Sequence, residues 1–146
     1  MRARRPDEGG GGDIGTCMSA DELFQRMVAW DKADFIVAAG TKAGSDSEST
    51  DGIVDGHAYT VITSVSKVAG TNFDLVKVRN PWGRGEFESG AWTDGGEGWS
   101  AHPDVAAELK PTSADDGIFW VTAQEFFRYF PTVYVSASSM TAFLED

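Results

Sequence analysis

Cysteine is nearly absent from these 146 residues, with Cys17 the only one. No disulfide can form within the chain. A four-cysteine or Cys/His zinc site is excluded as well, because His57 and His102 are the only other soft ligands. This usage suits a reducing compartment, and an intracellular, cytoplasmic location is expected. Cations are also scarce: 12 Lys and Arg stand against 23 Asp and Glu, for a net charge of −11. A nucleic-acid binder needs clustered cations, and the one cluster is Arg2, Arg4 and Arg5 at the N-terminus, so no nucleic-acid partner is expected. No apolar run approaches the length of a membrane span, so no membrane insertion is expected. The first twelve residues are Arg- and then Gly-rich and lack the apolar stretch of a secretory signal. What is present is 41% hydrophobic and 12% aromatic residues, the composition of one globular domain with a sizeable core.

The pattern divides into a flexible glycine-rich lead (1–18), a folded body (19–137) and a tail (138–146). Ser19-Ala20-Asp21-Glu22 has the form of a capping box, and Leu23, Met27 and Trp30 follow at helical spacing, predicting a helix over about 20–33. Phe35 to Ala39 is a buried strand ended by Gly40. The polar, acidic stretch 41–56 is a surface loop. From His57 to Val68 the residues alternate, with His57, Tyr59, Val61, Thr63 and Val65 on one side, which is strand periodicity. A turn at 69–72 leads to a return strand over 73–79 that Asn80-Pro81 ends. A long loop over 83–102 carries Trp92 and Trp99, expected to anchor it. A short helix near 103–110, a strand at 117–121, a second capping box at Thr122–Glu125 and a strand at 132–136 complete the chain. The expected class is α+β, a mostly antiparallel, barrel-like sheet with a few short helices.

His57 begins one strand of the hairpin and Asn80 ends the other. Paired about the turn at 69–72 the two fall close to opposite each other, and a bulge or twist could absorb the difference between their offsets from it. An asparagine carbonyl that accepts from one imidazole nitrogen fixes the ring and leaves the other nitrogen as a base toward a nucleophile. The surrounding residues, Gly56-His57-Ala58-Tyr59-Thr60-Val61, then Arg79-Asn80-Pro81-Trp82-Gly83, then Asp115 to Phe130 (DDGIFWVTAQEFFRYF), resemble the second half of a calpain-type cysteine protease core over about 30–137. The resemblance implies a papain-like second half. His57 would be the catalytic base and later acid, Asn80 the orienting residue, and Trp82 the cover that keeps water from their hydrogen bond. It also implies a protein or peptide substrate.

The nucleophilic cysteine of that family lies in a Gly-Asp-Cys-Trp context in the first half, and no such segment is present. Cys17 has no following aromatic and precedes His57 by only 40 residues, so it reads as an inert linker thiol. The chain is therefore expected to be inactive alone and to need a cysteine-bearing first half as partner. The alternative is a calpain-like module that binds or regulates without catalysis. The resemblance implies calcium as cofactor, with Glu86, Asp94 and Asp116 at matching loop positions and Ile118 where the family has an acidic residue. Asp46, Glu48, Asp51 and Asp55 have the wrong spacing for an EF-hand and read as a solvated face. Ser64-Val65-Ser66-Lys67 matches S-x-x-K by chance inside a strand, and His102 has no evident partner.

Overall fold

The computed structural model describes residues 2–4, 16–17, 19–44, 49–114 and 116–139. In chain order its elements are β1 (Arg2–Arg4), β2 (Thr16–Cys17), α1 (Ala20–Lys32), β3 (Phe35–Gly40), β4 (Ser49–Thr50), β5 (Ile53–Val54), β6 (Ala58–Val65), a 3₁₀ turn at Val68–Gly70, β7 (Leu75–Arg79), α2 (Glu97–Ala101), α3 (Pro103–Leu109), β8 (Ile118–Thr122), α4 (Ala123–Tyr129) and β9 (Thr132–Ser139).

The main sheet has the order β2-β1-β9-β3-β6-β7-β8. Every pairing in it is antiparallel except the short one between β1 and β2. The α+β class is as expected, but the sheet is open and not barrel-like. Among the described residues β8 pairs with β7 alone, and α1 and α4 lie over one face. Closure would need β8 to reach the opposite edge across the space those helices fill.

Both helices start as their sequences dictate. The Glu22 N–H donates to the Ser19 hydroxyl at 3.1 Å. At α4 the box is complete: Glu125 N–H donates to Thr122 Oγ1 at 3.0 Å and Thr122 N–H to Glu125 Oε1 at 2.9 Å. Leu23, Phe24 and Met27 of α1 and Phe126 and Phe127 of α4 pack on Val37, Tyr59, Val61, Val76, Val78, Phe119 and Val121 of the sheet. A second cluster lies around Val68, Leu75, Trp92, Val105 and Trp120. Residues 119, 120 and 121 alternate between the two clusters, so the β7–β8 corner is buried on both faces.

Three local expectations are corrected. The alternation along β6 is not uniform. Pairing with β7 runs Thr60↔Arg79 and Val61↔Val78, then Thr63↔Lys77, Ser64↔Val76 and Val65↔Leu75, so Ile62 is an extra residue. The buried side passes from Tyr59 and Val61 to Ser64 as a result. The loop 41–56 contains the β4–β5 hairpin, turned at Asp51-Gly52. The loop 83–102 contains α2, held because the Trp99 indole donates to the Thr93 carbonyl at 3.0 Å and stacks edge-on against the buried Trp92. His102, at the α2–α3 junction, packs against the rings of Phe73 and Trp92. No helix among the described residues is long and apolar enough to cross a membrane.

Candidate active site

The motif at the end of β7 is a turn whose chemistry is legible residue by residue. Asn80 opens it, Pro81 presets the next φ, and Gly83 closes it by donating its N–H to the Asn80 carbonyl at 2.9 Å. The Asn80 side chain folds back over the turn, and its Oδ1 accepts the Trp82 N–H at 3.1 Å. Its Nδ2 donates to the Gly85 carbonyl at 3.3 Å, and its backbone N–H donates to Gly117 at 2.9 Å. Asn80 is fully buried. Gly117 has φ of +78°, and a Cβ there would stand 2.9 Å from both Arg84 N and Asn80 O, so a side chain would push the turn off β8.

His57 is held from the other strand. Its N–H donates to the Thr41 hydroxyl at 2.9 Å, and its carbonyl accepts the Thr41 N–H at 3.0 Å. That hydroxyl in turn donates to the Val54 carbonyl at 2.7 Å. Tyr59, two residues along, is buried and accepts the Val54 N–H at 3.0 Å, and burial pushes its hydroxyl above the usual phenol range. Thr41 and Tyr59 therefore fix the backbone on both sides of the ring. No motif in the sequence singles out Thr41.

The two side chains meet, with His57 Nε2 3.0 Å from Asn80 Oδ1. The direction of this bond follows from the rest of the network. Trp82 N–H requires an acceptor and the Gly85 carbonyl requires a donor, so Asn80 must present Oδ1 toward Trp82 and His57. His57 Nε2 then carries the proton and donates, and Nδ1 is the acceptor of the neutral ring. The Trp82 indole lies 4.6 Å from the imidazole, tilted by 50°, and is 49% exposed. It covers one face of the ring while half of its own surface faces solvent.

Of the three acidic loop residues, two come together. Glu86 Oε2 accepts the Asp116 N–H at 3.1 Å and the Gly117 N–H at 3.2 Å, and Asp94 Oδ2 accepts the Ala114 N–H at 2.9 Å. Both line an open cavity of about 640 Å³ with Glu88, Thr93 and Ser113. Burial, and behind it the charge of Asp94 and a hydrogen bond with it, pushes the Glu86 carboxyl up to about 7 from an ordinary 4.5, against the pull of the two N–H groups. Asp116 does not join them, because its carboxylate turns back to accept the Ile118 N–H at 2.9 Å. No group of three or more His, Cys, Asp or Glu side chains is gathered for a metal among the described residues. Two crowded carboxylates beside an open cavity are hard donors that fit calcium in kind.

The acidic stretch before His57 is not a solvated face throughout. Asp55 is buried, 3.9 Å from Lys42 Nζ, and Asp51 accepts from the Tyr129 hydroxyl. Asp46 and Glu48 lie outside the described residues. Cys17 stands in β2. Its row of partners runs Cys17↔Arg4, Arg4↔Thr132, Thr132↔Gly40 and Gly40↔Ala58. Four strand spacings put its Cα about 19 Å from the strand that starts beside His57.

A family model described as calpain family cysteine protease matches residues 10–137. The chain is 32% identical over 119 residues to the calpain-type cysteine protease ADL1 of Oryza sativa, covering 81% of this chain and 5% of the relative. It is 34% identical over 111 residues to Homo sapiens calpain-9, covering 73% and 16%, and 32% identical over 149 residues to Mus musculus calpain-5, covering 91% and 23%. It thus spans between a twentieth and a quarter of the length of these curated relatives. With the histidine and asparagine of its two motifs joined by a hydrogen bond, and a match along most of its length, the chain belongs to the calpain family of cysteine proteases.

Proposed function

We propose that this chain is the second half of a calpain-type cysteine endopeptidase core, supplying the base and its orienter, while a cysteine-bearing first half supplies the nucleophile. The observation that carries this reading is the His57–Asn80 bond, because it leaves Nδ1 as the acceptor of an imidazole locked in one tautomer. A cysteine thiol would give its proton to His57 Nδ1, forming a thiolate–imidazolium pair. The thiolate attacks the peptide carbonyl carbon. His57 then returns the proton to the departing amine as the C–N bond breaks, leaving a thioester. In the second step Nδ1 takes a proton from water, the hydroxide oxygen attacks the thioester carbon, the C–S bond breaks to release the carboxylic acid, and the departing thiolate regains its proton from the imidazolium. Asn80 holds the ring through both steps, and Trp82 limits water on one side of it.

Calcium is the proposed cofactor. Glu86 and Asp94 would hold it, and its charge would replace the proton that Glu86 keeps near neutral pH. A reducing intracellular compartment would keep the nucleophilic thiol available.

The test mixes this chain with a separately produced, cysteine-bearing first half of a calpain-family core and follows cleavage of a fluorogenic peptide. We expect turnover in the mixture, none from either half alone, loss of more than about a hundredfold with His57→Ala, and no change with Cys17→Ser. Association of the halves without turnover would instead favour a non-catalytic binding or regulatory module.

A further inference from the structure

The hairpin does not bring His57 and Asn80 together by simple alternation. Near its turn, positions paired across β6 and β7 follow the register Ser64↔Val76 and Thr63↔Lys77. Continued unbroken, that register sets Asn80 opposite Thr60, on the face away from His57. Past the extra residue at Ile62 the register is Val61↔Val78 and Thr60↔Arg79. Asn80 then falls opposite Tyr59, on the same face as His57 two residues further along. A diagonal of that kind is within reach of long side chains. The His57–Asn80 contact therefore depends on one inserted residue.

What holds the insertion comes from outside the hairpin. The β3–β6 pairing ends at Val37↔Val61, so among the described residues no strand pairs with β6 on that side from Ile62 onward. The Asp31 carboxylate takes the vacant place: Oδ2 accepts the Thr63 hydroxyl at 2.5 Å and the Ser64 N–H at 3.1 Å. Ser64 is buried, so its N–H needs this acceptor. Asp31 also sits one residue from the end of α1, where a negative charge faces the negative end of the helix dipole. An aspartate at that place is unfavourable for the helix, and the gain lies in the bonds it makes to β6.

We infer that Asp31 is a positioning residue, fixing the bulge at Ile62 and through it the shared face of His57 and Asn80. The inference rests on the pair as read under Proposed function. The test is nuclear magnetic resonance of the isotopically labelled chain, reading the His57 ring tautomer and the exchange rate of its Nε2–H. The wild type is expected to show the Nε2–H tautomer with slow exchange. Asp31→Ala should give mixed tautomers and about tenfold faster exchange, the change that loss of a charge-assisted hydrogen bond corresponds to. Amide signals of the Val105–Trp120 cluster should stay in place. Asp31→Asn, which keeps an acceptor oxygen, should restore the wild-type ring signature. An unaltered His57 ring in folded Asp31→Ala overturns the inference while leaving the pair intact. A wild type without the Nε2–H tautomer overturns the pair, and the inference with it. If Asp31→Ala does not fold, Thr63→Val removes one of the two bonds. About threefold faster exchange then supports the inference, and no change overturns it.

Discussion

The His57–Asn80 pair and the Glu86–Asp94 pair are joined where Asn80 donates to the carbonyl of Gly85, yet their electrostatics are opposed. The first is complete in itself. Asn80 is neutral and buried, and its hydrogen bonds to His57, Trp82, Gly85 and Gly117 leave little for an outside group to supply. The second sets two carboxyls side by side and holds a proton on Glu86 near neutral pH. A site of the first kind holds its ring in one orientation without help from outside. A site of the second kind is unfinished without a cation or a proton. One stretch of chain, Asn80 to Glu86, carries one end of each.

The comparison breaks most sharply at Asn80. Asn80→Ala deletes a fully buried side chain and its three hydrogen bonds, to the Trp82 N–H, the Gly85 carbonyl and the His57 ring. We expect a stability loss of about 3 kcal/mol by urea denaturation. A loss under about 1 kcal/mol would mean that the network holds little of the turn.

The acidic pair should respond to pH instead. A carboxyl raised from 4.5 to about 7 on folding prefers its proton in the folded state. Its contribution to stability is complete below pH 4.5 and is lost as pH rises through 7. In a chelator, the thermal midpoint of the wild type should fall across that range, and Glu86→Gln should flatten the fall. Calcium should raise the wild-type midpoint more at pH 8 than at pH 5.5 and leave Glu86→Gln unmoved, as calorimetry would show. An identical pH profile in the variant would remove Glu86 from the account.

The smallest effect is expected at Trp82. Its side chain is half exposed, so Trp82→Ala should cost less than about 1 kcal/mol. The contact lies on the His57 ring, so exchange of its Nε2–H should still quicken about threefold, read by the same resonance measurement. Unchanged exchange would mean that the indole shields nothing.

Much of this was legible in the sequence, and the gaps have physical reasons. Capping residues marked α1 and α4, and the asparagine, proline and glycine of 80–83 marked the turn, because each acts on its own neighbours. The Asp51-Gly52 hairpin carried a signal that the surrounding polar composition masked. Both residues have positive φ, and a Cβ on Gly52 would meet the Glu86 carbonyl at 2.1 Å. The unequal turn offsets of His57 and Asn80 left room for a bulge or twist, but nothing local placed it at Ile62. Its neighbours keep a strand-like alternation, and what fixes it is a carboxylate 31 residues earlier in the chain. Helix α2 was hidden among glycines, since tryptophan packing and not propensity holds it. Asp116 stood where the resemblance implied a ligand, but its carboxylate satisfies its own turn.

The hairpin also governs the entropy of building the site. His57 and Asn80 close a loop of 23 residues, whereas Val37↔Val135, across β3 and β9, closes one of 98. The shorter closure costs about 1.3 kcal/mol less chain entropy. The contact that orients the His57 ring is thus among the more local ones in a sheet whose β1–β9 and β3–β9 pairings join distant parts of the chain.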